Sequence, residues 1–405
     1  MTTNFPADYG PEHAHVADLP VPHRDALEHS EKLCRRIREA INDNGGRISF
    51  ARYMDLALYE PGLGYYSSGT GKFGGAGDFV TAPVISPLFA ECLARQCRQV
   101  LPLLQDPVIL EFGPGTGEMA CVLLAALDQQ QCLPEKYYML EVSADLRARQ
   151  RRRLQQQIPY LMSRVTWLEA LPAQEYTGIV LANEVVDAMP INRYLFTNGE
   201  PGELCVCSDA EKFDWTVTPL ERGKLSGLMS LVQDVFTSWP ASYITEINHN
   251  LAPWLASVAE KLTHGMILLI DYGYPRREYF HPQRNDGTLL CHYRHHVHHD
   301  PFFHPGLQDI TASVDFTALA EAATEAGLEV KGYTTQAHFL LGCGLTEIIG
   351  GKQLTGAIER AELSRQAQIL TLPGEMGERF KVMALTKNVT EPLSGFCLAD
   401  HRGRL

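Results

Sequence analysis

Two short stretches carry residue types that could do chemistry. The first is Gly113-Pro114-Gly115-Thr116-Gly117, which follows the apolar run VILEF (108–112) and opens a helical pattern from about Glu118 to Gln131. Glycines let backbone amides approach a ligand closely where a strand turns into a helix. The same turn also fits a tight junction with no ligand. Two acids add to the ligand reading: Glu111 just before the loop, and Glu141 at the end of the next strand. An acid at the second place accepts the hydroxyls of a ribose. Leu168, which closes the strand after that, joins the same candidate set. NAD and S-adenosylmethionine (SAM) both carry a ribose. A dinucleotide site wants G-x-G-x-x-G; here the run is G-x-G-x-G followed by Glu118, an acid that would face a pyrophosphate. SAM has no phosphate and carries a sulfonium cation, so spacing and charge favour it.

The second stretch is NEVVDAMP, Asn183 to Pro190, after the fourth apolar run. Ligands of open α/β sheets sit at the carboxyl ends of the strands, so Asn183, Glu184 and Asp187 could face the cofactor. If Val185–Ala188 is one helical turn, Glu184 and Asp187 share a face and could grip a guanidinium in fork geometry. The alternative is that Asp187 caps the turn and only Asn183 and Glu184 reach the cleft. Asp78, after a glycine-rich loop and before a helix, could close over the cofactor as a lid or simply bond local amides. Seven of the fifteen histidines lie between 281 and 304 (His281, His292, His295, His296, His298, His299 and His304), with i,i+4 spacings that on a helix could hold a metal. Pro301 and Pro305 argue against a long helix there, so the segment reads as a solvated or substrate-facing loop with no metal site. The cluster RARQRRR (147–153) reads mostly as a solvated helix face, and the cysteines of CVC (205–207) as strand packing.

The elements that position these residues alternate. Apolar runs at 108–112, 136–142, 164–168, 178–184 and 265–273 are separated by helical patterns at 118–131, 143–157 and 252–262, which implies a parallel sheet covered on both faces. Helices near 26–43 and 49–58 precede them, and Ser86-Pro87 opens another. Residues 314–327 read as a helix capped by Asp315, and 328–336 and 379–386 as the last strands. The fold class is therefore α/β, a Rossmann-like sheet with helices on both faces. The expected organisation is a mobile arm (1–25), an N-terminal helical cap and glycine-rich lid (26–105), a first half of the core (106–191), a β-rich insertion on the substrate side (192–245), a second half of the core (246–390) containing a His-rich loop (274–314), and a tail (391–405).

Composition bounds the partners. The 405 residues are 45% hydrophobic and 20% charged, an ordinary globular mix, and the net charge of −13 argues against nonspecific nucleic-acid binding. No apolar stretch approaches the roughly 18 residues of a membrane span, and the N-terminus has neither a basic start with an apolar run nor the arginine-rich, acid-poor pattern of a transit peptide. The ten cysteines are scattered without CxxC, so free thiols in the cytoplasm are expected.

Several stretches together resemble the MidA family of SAM-dependent methyltransferases: FARYMDLALYEPGLGYY (50–66), GDFVTAPVISPLF (77–89), ILEFGPGTG (109–117), LANEVVDAMPINRY (181–194), LLIDYGY (268–274), DGTLLCHYRHH (286–296), QDITASVDFTAL (308–319) and QAHFLLGCGL (336–345). The resemblance implies a seven-stranded methyltransferase sheet, SAM as cofactor held by 113–117 and Glu141, and methylation of an arginine in a protein partner. Its mitochondrial members act on a subunit of a respiratory complex. Within the matching stretches Asp78, Thr81, Asp271, Tyr272 and Asp309 are the candidates for the substrate and lid side. The chain departs from the family pattern at Val84, where an acid is usual, at Leu307, where the usual run begins with glycine, and at Ser313, where a histidine is usual. A SAM-binding assembly factor with a mainly non-catalytic role, a small-molecule methyltransferase and an NAD-dependent dehydrogenase are the alternative functions.

Overall fold

The computed structural model describes residues 16–68, 81–209, 211–232, 240–353 and 356–405. Helix α1 (Arg24–Asp43), strand β1 (Arg47–Ser49) and helix α2 (Phe50–Tyr59) come first. Ser49 caps α2 by accepting from the Arg52 amide. The short α3 (Ala82–Ile85) leads into α4 (Pro87–Val100), where Ser86 is the cap and Pro87 the first helical residue, as expected. The core then runs β2 (Val108–Phe112), α5 (Glu118–Gln129), β3 (Lys136–Leu140), α6 (Ala144–Gln157), β4 (Val165–Leu168) and β5 (Tyr176–Asn183). An excursion follows: β6 (Asn192–Thr197), β7 (Glu200–Ser208), β8 (Phe213–Pro219), α7 (Arg222–Val232) and β9 (Ser242–Ile247). The core resumes with α8 (Leu251–Lys261) and β10 (Leu262–Tyr274). After α9 (Arg276–Tyr279) come β11 (Leu290–Tyr293), β12 (His296–His298), β13 (Asp309–Thr311), β14 (Val314–Asp315), α10 (Phe316–Glu325) and β15 (Glu329–Thr335). Helices α11 (Gln336–Gly342), α12 (Leu345–Gly351), α13 (Ala357–Thr371) and α14 (Met376–Arg379) precede the last strand, β16 (Phe380–Lys387).

The main sheet has the order β15-β16-β10-β5-β2-β3-β4. Pairing is parallel from β10 to β4 and antiparallel at β16. The two-residue β14 adds an eighth strand to the seven expected, because β10 is 13 residues long and its end, Gly273–Tyr274, runs on to pair with Val314–Asp315. Central strands alternate between two cores. Ile109, Ile179, Leu181, Met266 and Leu268 face the core beneath α4 and α5. Leu110, Val180, Ala182, Ile267 and Leu269 face the core beneath α8 and α10. Both faces are buried, which is why these strands read as continuous apolar runs. The chain leaves β2 toward β3 and β4, then returns to the other side of β2 at β5. The crevice at this reversal is where an α/β sheet takes its ligand.

A third core joins pieces distant in sequence. Leu33 and Ile37 of α1, Phe50 and Tyr53 of α2, Val206 and Phe213 of the excursion, and Cys291, Ile310 and Ala312 pack together. The excursion sheet has five strands and includes β1, which pairs antiparallel with β7. The segment 274–314, expected to be a loop, instead contains the three-stranded sheet β12-β11-β13. Its hairpin turns on Arg294 and His295, both with positive φ (47° and 64°), the conformation of a two-residue type I′ turn. Glycine or asparagine usually marks such a turn, so the sequence carried no signal for it. His298 is buried rather than solvated, and burial pushes both His292 and His298 down to about 4.

One buried ion pair fastens the excursion to this segment. Arg193 Nε lies 3.0 Å from Glu246 Oε1, with the two side chains 10% and 0% exposed. Glu246 Oε2 accepts from the Thr288 amide (2.7 Å) and hydroxyl (3.1 Å), and Arg193 Nη2 donates to the Asp286 carbonyl (3.0 Å). Removing one partner strands the other charge in the interior. Glu246→Ala is therefore expected to lower the unfolding free energy by about 3–5 kcal/mol in urea titrations. The double substitution Arg193→Met/Glu246→Leu is expected to cost less than Glu246→Ala alone.

Candidate functional site

The loop after β2 is built on backbone that favours glycine. Gly113, Gly115 and Gly117 have φ of 55°, 51° and 78°. A Cβ at Gly115 would meet nothing within 4 Å, so φ rather than crowding is the constraint there. At Gly117 a Cβ would press within 3.2 Å of Leu154 and 3.4 Å of Gln150, so this glycine lets α6 approach. Gln150, fully buried, ties the region together. Its Nε2 donates to the Gly115 carbonyl (2.9 Å) and to Glu141 Oε2 (3.2 Å), and its Oε1 accepts from Trp167 Nε1 (2.9 Å). Sequence reading gave Gln150 no role because it lies inside the RARQRRR run. That run is largely paired: Arg147 with Glu169, Arg149 with Asp145, Arg153 with Glu118, and Arg151 over the Trp167 ring.

A cleft of about 240 Å3 opens against this loop. Of the residues named for the cofactor side, Glu111, Gly113, Pro114, Gly115, Thr116, Glu141 and Asn183 line it. Gly117 and Leu168 do not. Leu168 is corrected: its carbonyl accepts the Glu141 amide (3.0 Å) and its side chain packs in the core under α8, so it acts from behind Glu141. Glu141 Oε1 accepts from the Ser143 amide (2.8 Å), and burial raises its pKa. Glu111 accepts from the Tyr137 hydroxyl (2.7 Å), and burial pushes it up to about 8. Phe112, Met119, Leu140, Val142 and Leu146 supply apolar wall.

The other wall follows β5. Glu184 takes a left-handed φ of 53° and donates its amide to the Ile270 carbonyl (2.9 Å). The next residues form a turn, not a helix, with the Met189 amide donating to Val186 (3.2 Å). Asp271, at the end of β10, clamps it: Oδ2 accepts from the amides of Val186 (3.0 Å) and Asp187 (3.2 Å), and Oδ1 from that of Tyr272 (2.9 Å). The expected Glu184–Asp187 fork is therefore corrected. Glu184 lines the cleft, whereas Asp187 is buried behind it against Asp271 and Asp309. The cap of the turn is Asp271, not Asp187. Glu184 Oε1 accepts from Asn183 Nδ2 (3.0 Å). Burial and then the Asp187 charge push Glu184 up to about 8, against the opposing hydrogen bonds from Asn183 and the Ala82 amide. Burial raises Asp271 to about 8 as well, and burial with the charges of Asp271 and Asp309 holds Asp187 well above the usual carboxylate range.

The mouth comes from the N-terminal cap. Tyr59, Tyr66, Thr81, Pro83 and Val84 line it. Thr81 thus stands where the lid was expected, and Asp78 lies outside the described residues. Asp271, Tyr272 and Asp309 do not line the cleft, which corrects their expected contact with substrate. Tyr272 packs its ring on Phe380, and Asp309 Oδ1 accepts from the Tyr66 hydroxyl (2.8 Å). The tyrosines at 59 and 66 carried no expected role, although both lie in FARYMDLALYEPGLGYY. Of the family departures, Val84 faces the cleft and Leu307 and Ser313 do not. No group of three His, Cys, Asp or Glu among the described residues could hold a metal.

The acids Glu111, Glu118, Glu141 and Glu184 all line the cleft, and no Lys, Arg or His does so among the described residues. Asn183 Oδ1 is buried there without a hydrogen-bond partner. Such a set of acceptors fits a cationic ligand with ribose hydroxyls and rejects a pyrophosphate.

Comparison with known proteins agrees. A crystal structure from Burkholderia thailandensis, bound to S-adenosyl-homocysteine, is 41% identical with a TM-score of 0.91, covering 96% of this chain and all (100%) of that one. The mitochondrial protein arginine methyltransferase NDUFAF7 homolog of Drosophila melanogaster is 28% identical over 88% of this chain and 85% of its own length. The mitochondrial protein arginine methyltransferase NDUFAF7 of Danio rerio is 29% identical over 87% and 89%. These relatives are mitochondrial by name, which overturns the expected cytoplasmic location. The family model for S-adenosyl-L-methionine-dependent methyltransferases matches residues 92–334, and this chain belongs to that family.

Proposed function

We propose that the chain transfers the methyl group of SAM to a guanidinium nitrogen of an arginine in a protein partner, and that this partner is a respiratory-complex subunit, as the family resemblance implies. The cleft, whose only charged lining residues among the described ones are acids, carries this reading, because donor and acceptor are both cations. The curated relatives bear arginine methylation in their names. In this reading the cap, the excursion and the segment 274–314, which share one core, form the substrate side.

When bound, SAM supplies an electrophilic methyl carbon whose bonding electrons leave with the sulfur. The backbone of Gly113–Thr116 and the Glu141 carboxylate would hold the nucleoside, and Asn183 Oδ1 would offer an acceptor to the amino-acid end. Glu184 accepts guanidinium N–H bonds and orients one nitrogen toward the methyl carbon. As the new N–C bond forms, one N–H proton passes to the Glu184 carboxylate. A carboxyl whose pKa burial has raised to about 8 can take that proton and release it to solvent afterwards.

Glu184→Gln keeps the shape but loses the charge. Incubation of the variant with labelled SAM and an arginine peptide is expected to show kcat lower by about 100- to 1,000-fold, with affinity for S-adenosyl-homocysteine nearly unchanged. Retained label transfer would sink the assignment of Glu184. The carboxyl must be ionised to hold the guanidinium, so kcat/KM of the wild type is expected to rise with pH until about 8. That limb is expected to vanish in Glu184→Gln. For Glu141→Ala, calorimetric titration with S-adenosyl-homocysteine is expected to show about 10- to 100-fold weaker binding, the worth of a charged hydrogen-bond acceptor.

A further inference from the structure

Tyr59 and Tyr66 line the same cleft as Glu184 but lie outside the stretch matched by the family model. Their rings stack, with centroids 5.5 Å apart and planes 23° from parallel, and Tyr65 packs edge-on against Tyr66 at 5.1 Å. Both hydroxyls are committed to protein acceptors. That of Tyr59 donates to the Ala188 carbonyl (2.9 Å) and that of Tyr66 to Asp309 Oδ1 (2.8 Å). Asp309 is buried and also accepts from the Ile310 amide (2.9 Å). The phenolic protons are therefore taken, and the pair offers a ligand ring surface and hydroxyl lone pairs but no donor.

The backbone fixes the pair from below. The amides of Tyr65 and Tyr66 donate to the carbonyls of Ala57 (2.9 Å) and Leu58 (2.8 Å), folding the turn back onto α2. A Cβ at Gly64 would lie 2.6 Å from the backbone of Leu58, Tyr59 and Glu60, so only glycine permits this closure. A rigid stack of rings next to a carboxylate suits a flat cation. A guanidinium can lay its plane on a ring while its N–H groups reach the carboxylate, whereas an ammonium has no plane to lay.

We propose that Tyr59 and Tyr66 form the wall that selects the planar guanidinium of the substrate, with Asp309 as a positioning residue that holds Tyr66 and does not touch the substrate. This rests on the arginine reading above. The sulfonium of SAM is the competing occupant of the wall, and S-adenosyl-homocysteine lacks that charge.

The test uses the full chain, labelled SAM and an arginine peptide that the wild type methylates. In Tyr59→Leu and Tyr66→Leu the KM for peptide is expected to rise about 10-fold. The ratio of SAM to S-adenosyl-homocysteine affinity is expected to stay at the wild-type value. Tyr66→Phe, which keeps the ring but frees it from Asp309, and Asp309→Asn are expected to raise KM by a smaller factor, and they serve should a leucine variant fail to bind S-adenosyl-homocysteine. An unchanged peptide KM in these variants would overturn the proposal. So would a loss confined to SAM relative to S-adenosyl-homocysteine, which would assign the rings to the donor. A wild type that labels no arginine peptide would overturn the arginine reading, and this proposal with it.

Discussion

The hydrogen bonds of Asp271 hold the site in shape. β5 and β10 lie side by side, and the Asp271 carboxylate at the end of one accepts two amides from the turn that ends the other. Glu184 sits just before those amides in a left-handed conformation, which costs about 1–3 kcal/mol for a residue with a side chain. The hydrogen bonds from the Val186 and Asp187 amides to Asp271 offset that strain. The result is a carboxylate aimed into the cleft from a position where a regular strand or helix would not put it. A helix over 185–188 would have placed Glu184 and Asp187 on one face. The turn separates them, so one reaches ligand and the other stays behind.

Electrostatics give the cleft its selectivity. Four acids line the cleft, and burial raises the cost of ionising Glu111, Glu141 and Glu184. Glu118 is partly neutralised by Arg153 from outside. The remaining acids present a field that any cation relieves and any phosphate worsens. The chain's net charge of −13 points the same way, but the local arrangement, not the total, makes the distinction.

Much of the sheet was legible in the sequence because its strands are buried on both faces and its helices carry ordinary caps, at Ser49, Ser86, Ser143 and Asp315. The glycine loop and Glu141 were legible because they lie next to one another along a strand–helix–strand unit. The illegible features depend on partners far away. The turn at Glu184 depends on Asp271, 84 or 85 residues on. Tyr66 depends on Asp309, 243 residues on. The hairpin at Arg294–His295 has neither glycine nor asparagine to announce its positive φ values. Helix α13 went unread because most of its residues are polar and exposed, and only the narrow stripe of Leu363, Ala367 and Leu370 meets the core.

The third core has a consequence for how the chain is made. Its helices α1 and α2 leave the ribosome first, yet the groups that complete them come much later. Ser30 donates to the Pro305 carbonyl across 275 residues, and Tyr53 to that of Pro301 across 248. Contacts of such separation close only after the intervening chain exists, and they slow folding. The apolar face of the cap is therefore covered in two stages, first by Val206 and Phe213 and only later by Cys291, Ile310 and Ala312. During that interval the nascent chain is a natural client for a chaperone that holds exposed apolar helices.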